Sequence, residues 1–311
     1  MQSAAQSEWN KETGLTGRPA RAKLAEYGWA ILFSLPALCF YVAIIFLPLL
    51  VSVQLSLYEW DGMMPRMDFV GFSNYVTLWS EPRFLMSLAR TFVWWIMHVL
   101  FAVIGGLVTA LLIAQVKRGQ SVFRTLSFLP HVLSLSVVGI IWAQLYHPTI
   151  GFINLTLKSL GLNFLTHTWL GDTSLALPSI SIASSWQAYG FYMVIFLAGL
   201  QNIDPQLYEA AVVDGAKPWQ RFRYITLPSL RNTMTLVLSL AFISSLKGFG
   251  TVWAMTGGGP SNSTELVAVY VWRDAFQSAE IGRASAAALT LGVAVILLTV
   301  LFNQWRDRKG E

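Results

Sequence analysis

Glu209, Asp214, Lys217, Arg221 and Arg223 stand close together in residues 209–228, EAAVVDGAKPWQRFRYITLP, a polar and partly basic island between two long apolar runs. Carboxylates and guanidiniums in this pattern can cap a helix or pair with charges on another surface. They do not form a set of nucleophile, acid and base. The local order of residues predicts a short helix from Pro205 to Asp214. Asp204 can serve as its N-cap, and Pro205 fits the first helical position, where a missing N–H costs nothing. Gly215 stands where a left-handed residue ends a helix. A small capped helix of this kind is suited to docking.

Other chemistry is missing from the sequence. No G-x-x-x-x-G-K-[ST] phosphate loop occurs, so the chain is not expected to hydrolyse ATP itself. His-Glu-x-x-His, a cysteine pair and Gly-x-Ser-x-Gly do not occur either. His98, His131, His147 and His167 have no partner at metal-ligand spacing and read as structural, so no metal or cofactor is expected in this chain. The single cysteine, Cys39, allows no intrachain disulfide and reads as a small packing residue.

The elements that must position the island are membrane spans. The chain has 311 residues, 55% hydrophobic and 12% charged, with mean hydropathy +0.54. Soluble domains carry roughly 25% charged residues. Stretches free of Asp, Glu, Lys and Arg cover Tyr27–Tyr58, Thr91–Val116, Thr125–Leu157, Thr173–Ile203 and Ala284–Trp305; a further one, Asn232–Thr264, is interrupted by Lys247. Each exceeds the roughly 20 residues needed to cross a bilayer. The reading is an all-α polytopic membrane protein with six transmembrane helices. The first run is longer than a cleavable signal core and is expected to stay as an anchor.

The sequence pI of about 9.4 does not point to nucleic acid, because Lys and Arg sit in short segments between apolar runs. With a cytoplasmic N-terminus, the inner segments hold 14 Lys and Arg against 6 in the outer ones. This bias places both termini and residues 204–231 in the cytoplasm. The expected layout is a cytoplasmic tail (1–27), a first span (28–57), an outer, periplasmic segment (58–90), a five-helix core (91–305) and a short C-terminal tail (306–311). Trp60, Trp79, Trp94, Trp95, Trp169 and Trp305 fall near expected span ends and read as an interfacial belt. A short interfacial helix is expected around Asn154–Leu160.

Glu209, Ala210, Ala211, Asp214, Gly215, Ala216, Phe222, Ile225, Leu227 and Pro228 match the EAA–DGA–F–I–LP pattern, and the chain resembles the permease subunits of ABC importers. Phe69-Val70-Gly71 with Asn74-Tyr75 resembles the F-V-G-x-x-N-Y segment of carbohydrate-type members. Arg124, Pro130, Trp142, Gly151 and Asn154, the run Thr256–Pro260 with Thr264, and Gly282 with Ala284–Ala288 fit further elements of the maltose and glycerol-3-phosphate branch. The resemblance implies a type I importer transmembrane domain in the bacterial inner membrane. It implies that 204–231 is a coupling loop, with Glu209, Ala210, Ala211, Asp214, Gly215, Ala216, Arg221 and Phe222 engaging an ATP-binding subunit. It also implies a second homologous permease, two ATPase subunits that bind ATP and Mg, and an external solute-binding protein.

For the substrate path the resemblance suggests Gln187, Ala188 and Phe191 on the fourth span, and Ser244, Ser245 and Gly248 on the fifth. Helix packing by small residues is the competing reading for the second set. Lys247 is the one formal charge inside a span. It contacts solute, pairs with a partner subunit or snorkels to the outer surface. The expected cargo is a sugar or oligosaccharide, with glycerol-3-phosphate or another polyol derivative as the alternative. A secondary transporter is a remote reading, since no carboxylate lies inside the runs.

Overall fold

The computed structural model describes residues 32–246 and 248–307. The N-terminal tail, the start of the first expected span, Lys247 and the last four residues lie outside them. The chain divides into two compact units, residues 1–54 and 55–311. Helix α1 (Leu32–Leu55) accounts for the described part of the first unit.

The second unit opens with a two-stranded antiparallel ribbon, β1 (Tyr58–Glu59) and β2 (Asp68–Phe69), in which Tyr58 faces Phe69. Helices α2 (Ser73–Ser80) and α3 (Pro82–Ala114) follow. Next come α4 (Gln120–Val132), α5 (Leu135–Leu145), α6 (Phe152–Ser159) and α7 (Ala176–Gln201). The island forms α8 (Pro205–Val213) and α9 (Pro218–Ser229), leading into α10 (Arg231–Leu246). Helices α11 (Gly250–Thr256), α12 (Val267–Phe276) and α13 (Ile281–Asp307) complete the chain. Among the described residues, α1, α3, α7 and α13 are long and apolar enough to cross a membrane. The bent pairs α4–α5 and α9–α10 bring the total to six if each is one span.

Helix α7 is the centre of the unit, with Ile180, Ala183, Met193 and Phe196 fully buried. It packs on α3 where Gly106 leaves no space for a side chain: a Cβ there would come within 2.8 Å of the Tyr189 carbonyl oxygen. Small residues at such crossings let membrane helices approach closely.

Three expectations from charge counting are corrected. The run 125–157 is not one helix: α4 and α5 meet at 96°, and α6 is separate. Pro130, in the last turn of α4, has no N–H to continue the ladder, and Ser134 caps α5 by accepting from the Val137 N–H at 3.4 Å. The run 232–264 is also divided, because α10 ends at Leu246 and α11 starts at Gly250. A Cβ on Gly248 would lie 2.8 Å from the Trp94 indole nitrogen, so the close approach requires glycine. The second span begins at Pro82 rather than Thr91, taking Arg83 and Arg90 into its first turns. Trp94 and Trp95 pack against other helices rather than standing free at a span end. Trp94 is buried, and the Trp95 ring meets Phe242 edge-on at 5.6 Å. A short helix does occupy the position expected around residue 154.

Arg83 is tolerated because its charge is matched. It donates to both oxygens of Glu265, at 2.7 and 2.9 Å, and to Asp274 at 3.3 Å. Arg273 reaches Glu265 at 3.0 Å, and Arg283 reaches Asp274 at 2.8 Å. Glu265 and Asp274 are fully buried. Tyr270 donates to Glu81 at 2.6 Å, and burial is the main cause that holds its phenol well above the usual tyrosine range. The network ties the starts of α3 and α13 to α12 and the 257–266 loop.

The motifs of this end have plain structural jobs. Asn74 donates to the carbonyls of Ser56 and Tyr58, both at 2.9 Å. A Cβ on Gly282 would land on the same Tyr58 carbonyl, so only glycine lets α13 pass. In the Thr256–Thr264 loop the two threonine hydroxyls are 2.8 Å apart, and Arg273 donates to the Gly257 carbonyl and to Asn262.

Candidate functional site

Two sites emerge, one at each end of α10. At its start the island forms a helix–turn–helix. The Asp204 carboxylate accepts from the Gln206 N–H at 2.9 Å. Gly215 adopts φ +74°, and the Ala216 N–H closes back on the Ala211 carbonyl at 2.8 Å. This is the left-handed termination expected from the sequence, and it satisfies the last carbonyls of α8. The Gln220 side chain then accepts from the Lys217 N–H at 2.7 Å to open α9. Residues Phe222–Thr226 form a wide π turn inside α9. Tyr208 and Thr226 join the two helices through hydroxyls 2.9 Å apart.

Glu209, Ala210, Asp214 and Gly215 are exposed, while Ala211, Ala216, Arg221 and Phe222 are half-buried. A cleft of about 300 Å³ lies between the helices, lined by Ala211, Asp214, Gly215, Ala216 and Arg221 among others. Glu209, Asp214, Lys217, Arg221 and Arg223 have no ion-pair partner among the described residues. The arrangement presents charge outward without spending it internally.

At the other end of α10 a cavity of about 430 Å³ opens between α3, α7, α10 and the break before α5. Gln187, Ala188, Phe191, Ser244 and Gly248 all line it, so the structure brings five of the suggested path residues together. Ser245 is not among them: it is buried, and its hydroxyl donates to the Ala241 carbonyl at 2.7 Å. Being next to Ser244 on a helix, it faces a different way. Lys247 lies outside the described residues.

Gln187 does more than line the wall. Its amide nitrogen donates to the carbonyls of His131, at 3.1 Å, and Leu133, at 3.3 Å. Those carbonyls flank the break between α4 and α5 and have lost their helical partners. The side chain thus clamps the break, leaving its carbonyl oxygen as its acceptor for a solute. The clamp sets His131 against Phe191, with the rings stacked at 4.9 Å and 15°.

Sequence reasoning missed Trp94, His98, His131 and Tyr192, which also line the cavity. His98 Nε2 is within hydrogen-bond distance of the Tyr192 hydroxyl, at 3.0 Å. The available signal was a histidine in each of two apolar runs, since intramembrane polar groups face the bundle interior. Four-residue steps from Trp94 to His98 and from Ala188 to Tyr192 put each pair on one face. Among the described residues lining the cavity, none carries a carboxylate, ammonium or guanidinium group. Its wall of aromatic rings, hydroxyls and an amide suits an uncharged polar solute.

Residues 102–308 match the family described as binding-protein-dependent transport system inner membrane component. A probable ABC transporter permease from Bacillus subtilis is 32% identical over 87% of this chain and 93% of its own. A lactose transport system permease protein from Rhizobium radiobacter is 34% identical, covering 93% of this chain and 99% of its own. In three dimensions the chain superimposes on a subunit of the bacterial alginate ABC transporter, solved in complex with an alginate pentasaccharide-bound periplasmic protein. The TM-score is 0.80, with 23% identity over 94% of this chain and 98% of that one. The likeness shows a shared all-α membrane fold. Profile, relatives and fold agree, and the chain belongs to the family of binding-protein-dependent transport system inner membrane components.

Proposed function

We propose that this chain lines half of the translocation path of an ATP-driven importer for a neutral sugar or oligosaccharide. A second, similar permease supplies the other half. The observation that carries the cargo class is the cavity: stacked and edge-on rings can meet the C–H faces of a sugar, while Ser244, Thr251, Tyr192 and the Gln187 oxygen can meet its hydroxyls. Relatives named for lactose and diacetylchitobiose uptake support the same class. A phosphorylated polyol would need fixed positive charge, which the described wall does not offer.

The ATP-binding subunits, which hold ATP and Mg, dock on the outward face of α8 through Glu209, Ala210, Asp214 and neighbouring residues. The charge bias supports a cytoplasmic position for that end, and a soluble binding protein delivers solute to the opposite one. The Tyr208–Thr226 link and the continuity of α9 with α10 give the motion of α8 a route to the cavity.

The test is reconstitution of the four-subunit complex in proteoliposomes with its binding protein. ATP hydrolysis and uptake are measured with lactose, diacetylchitobiose and glycerol 3-phosphate. A neutral sugar is expected to stimulate both activities, and Phe191→Ala to raise the KM for uptake. Stimulation by glycerol 3-phosphate alone, or accumulation without ATP, would overturn the reading.

A further inference from the structure

We infer that the exposed cations of the island's second half, Lys217, Arg223 and Arg231, rest on anionic lipid headgroups, and that this contact turns the acidic half away from the bilayer toward the ATPase. The inference rests on the reading of 204–231 as a coupling loop and adds a partner to it. Charge is segregated within this one stretch: Asp204, Glu209 and Asp214 belong to α8 and its ends, while Lys217, Arg221, Arg223 and Arg231 follow. None of these groups forms an ion pair among the described residues, although Asp214 and Arg221 line the same cleft. At the other end of the unit, Arg83, Arg273 and Arg283 are all paired with carboxylates. Exposed cations without a carboxylate partner, as Lys217, Arg223 and Arg231 are among the described residues, are available to an external anionic surface.

Geometry selects lipid as that surface. Helix α9 turns 68° from α10, so when α10 crosses the bilayer α9 lies much nearer the membrane plane. It is amphipathic: Thr226 is buried and Phe222 and Ile225 are half-buried, while Trp219 is 70% and Tyr224 73% exposed. Arg223 is exposed too, its guanidinium 5.9 Å from the Tyr224 ring centre. Indole, phenol and guanidinium groups on the open face of an in-plane helix are the side chains that headgroup regions hold. Each cation near an anionic leaflet strengthens contact about fivefold, and the attraction fades within about 10 Å. The same field repels Glu209 and Asp214, which gives the loop a preferred orientation.

The experiment uses the full complex in nanodiscs of phosphatidylcholine with or without phosphatidylglycerol. In a Cys39→Ser background, Gln220→Cys carries a fluorophore, and quenching by a headgroup-spin-labelled lipid reports contact. Quenching is expected to rise with phosphatidylglycerol, and the contact equilibrium constant fitted from it to fall about fivefold per removed charge in Arg223→Gln and in Lys217→Gln with Arg223→Gln. Quenching that is equal in both lipids and unchanged by the substitutions overturns the proposal. So does a label that becomes exposed to solvent when the ATPase subunits are stripped from the complex, which would assign this face to them. The reading needs neither sugar nor ATP, so a complex that transports none of the tested solutes still reports the lipid contact. Failure of the importer reading is thereby kept distinct.

Discussion

At the scale of single residues, the cavity depends on how closely α7 approaches the broken pair α4–α5. A Cβ on Gly190 would land on the Ser127 carbonyl oxygen, whereas one on Gly105 would meet only the Tyr189 Cβ at 3.9 Å. Gly190→Ala must therefore push α4 away, and with it the His131 ring that stacks on Phe191. Overpacking of this kind costs about 1–3 kcal/mol. Gly105→Ala adds a methyl group in ordinary contact and replaces a helix-interior glycine, a change expected to stabilise by up to about 1 kcal/mol. Thermal unfolding in detergent measures both. Gly190→Ala is expected to melt lower than the parent and Gly105→Ala at or above it; equal melting of the two variants would show that the contact at Gly190 is not rigid.

At the scale of elements, the ionic network does for α3, α12 and α13 what apolar packing does for α7. Glu265→Gln leaves Arg83 and Arg273 facing a neutral amide in a buried site. Removing one partner of a buried pair costs about 3–5 kcal/mol. The exposed Arg66–Asp68 pair, with side chains 84% and 58% accessible, is worth under about 1 kcal/mol. Unfolding midpoints of Glu265→Gln and Arg66→Gln are expected to differ accordingly, and a Glu265→Gln protein as stable as Arg66→Gln would remove the network from the account. None of this was legible in the sequence, since Arg83 meets partners 182 and 191 positions away. Charge counting instead started the span after Arg90 and left Arg83 in the outer segment. Local signals fared better. The cap at Asp204, the turn at Gly215 and the helix near residue 154 depend on a few neighbouring residues, so the chain declares them. The break at 133–134 involves no charge and arises from Pro130 and tertiary partners such as Gln187, so an apolar run conceals it. The break before Gly250 depends on the close approach of Gly248 to Trp94, a contact that no local pattern announces.

At the scale of the whole molecule, the island and the cavity are the two ends of one element, α10. Tyr208 fastens α8 to α9, α9 continues into α10, and α10 carries Ser244 to the cavity wall. Leu230 and Thr233 lie close to Gly199, where a Cβ would come within 2.9 Å of both side chains. The start of α10 is thus held firmly to α7, which suits rigid-body transmission better than local bending. The turn at Gly215 sets the direction in which α8 projects. Its φ of +74° is inaccessible to proline, whose ring holds φ near −65°. Glu209→Lys combined with Gly215→Pro should redirect α8 and reverse its charge while leaving the cavity, at the far end of α10, untouched. In the reconstituted importer the expected outcome is loss of both uptake and sugar-stimulated ATP hydrolysis, with membrane insertion and thermal stability of the permease retained. Normal uptake in that variant would show that force enters the permease elsewhere. Loss of stability alongside uptake would mean that the turn maintains the fold and does not only aim the helix.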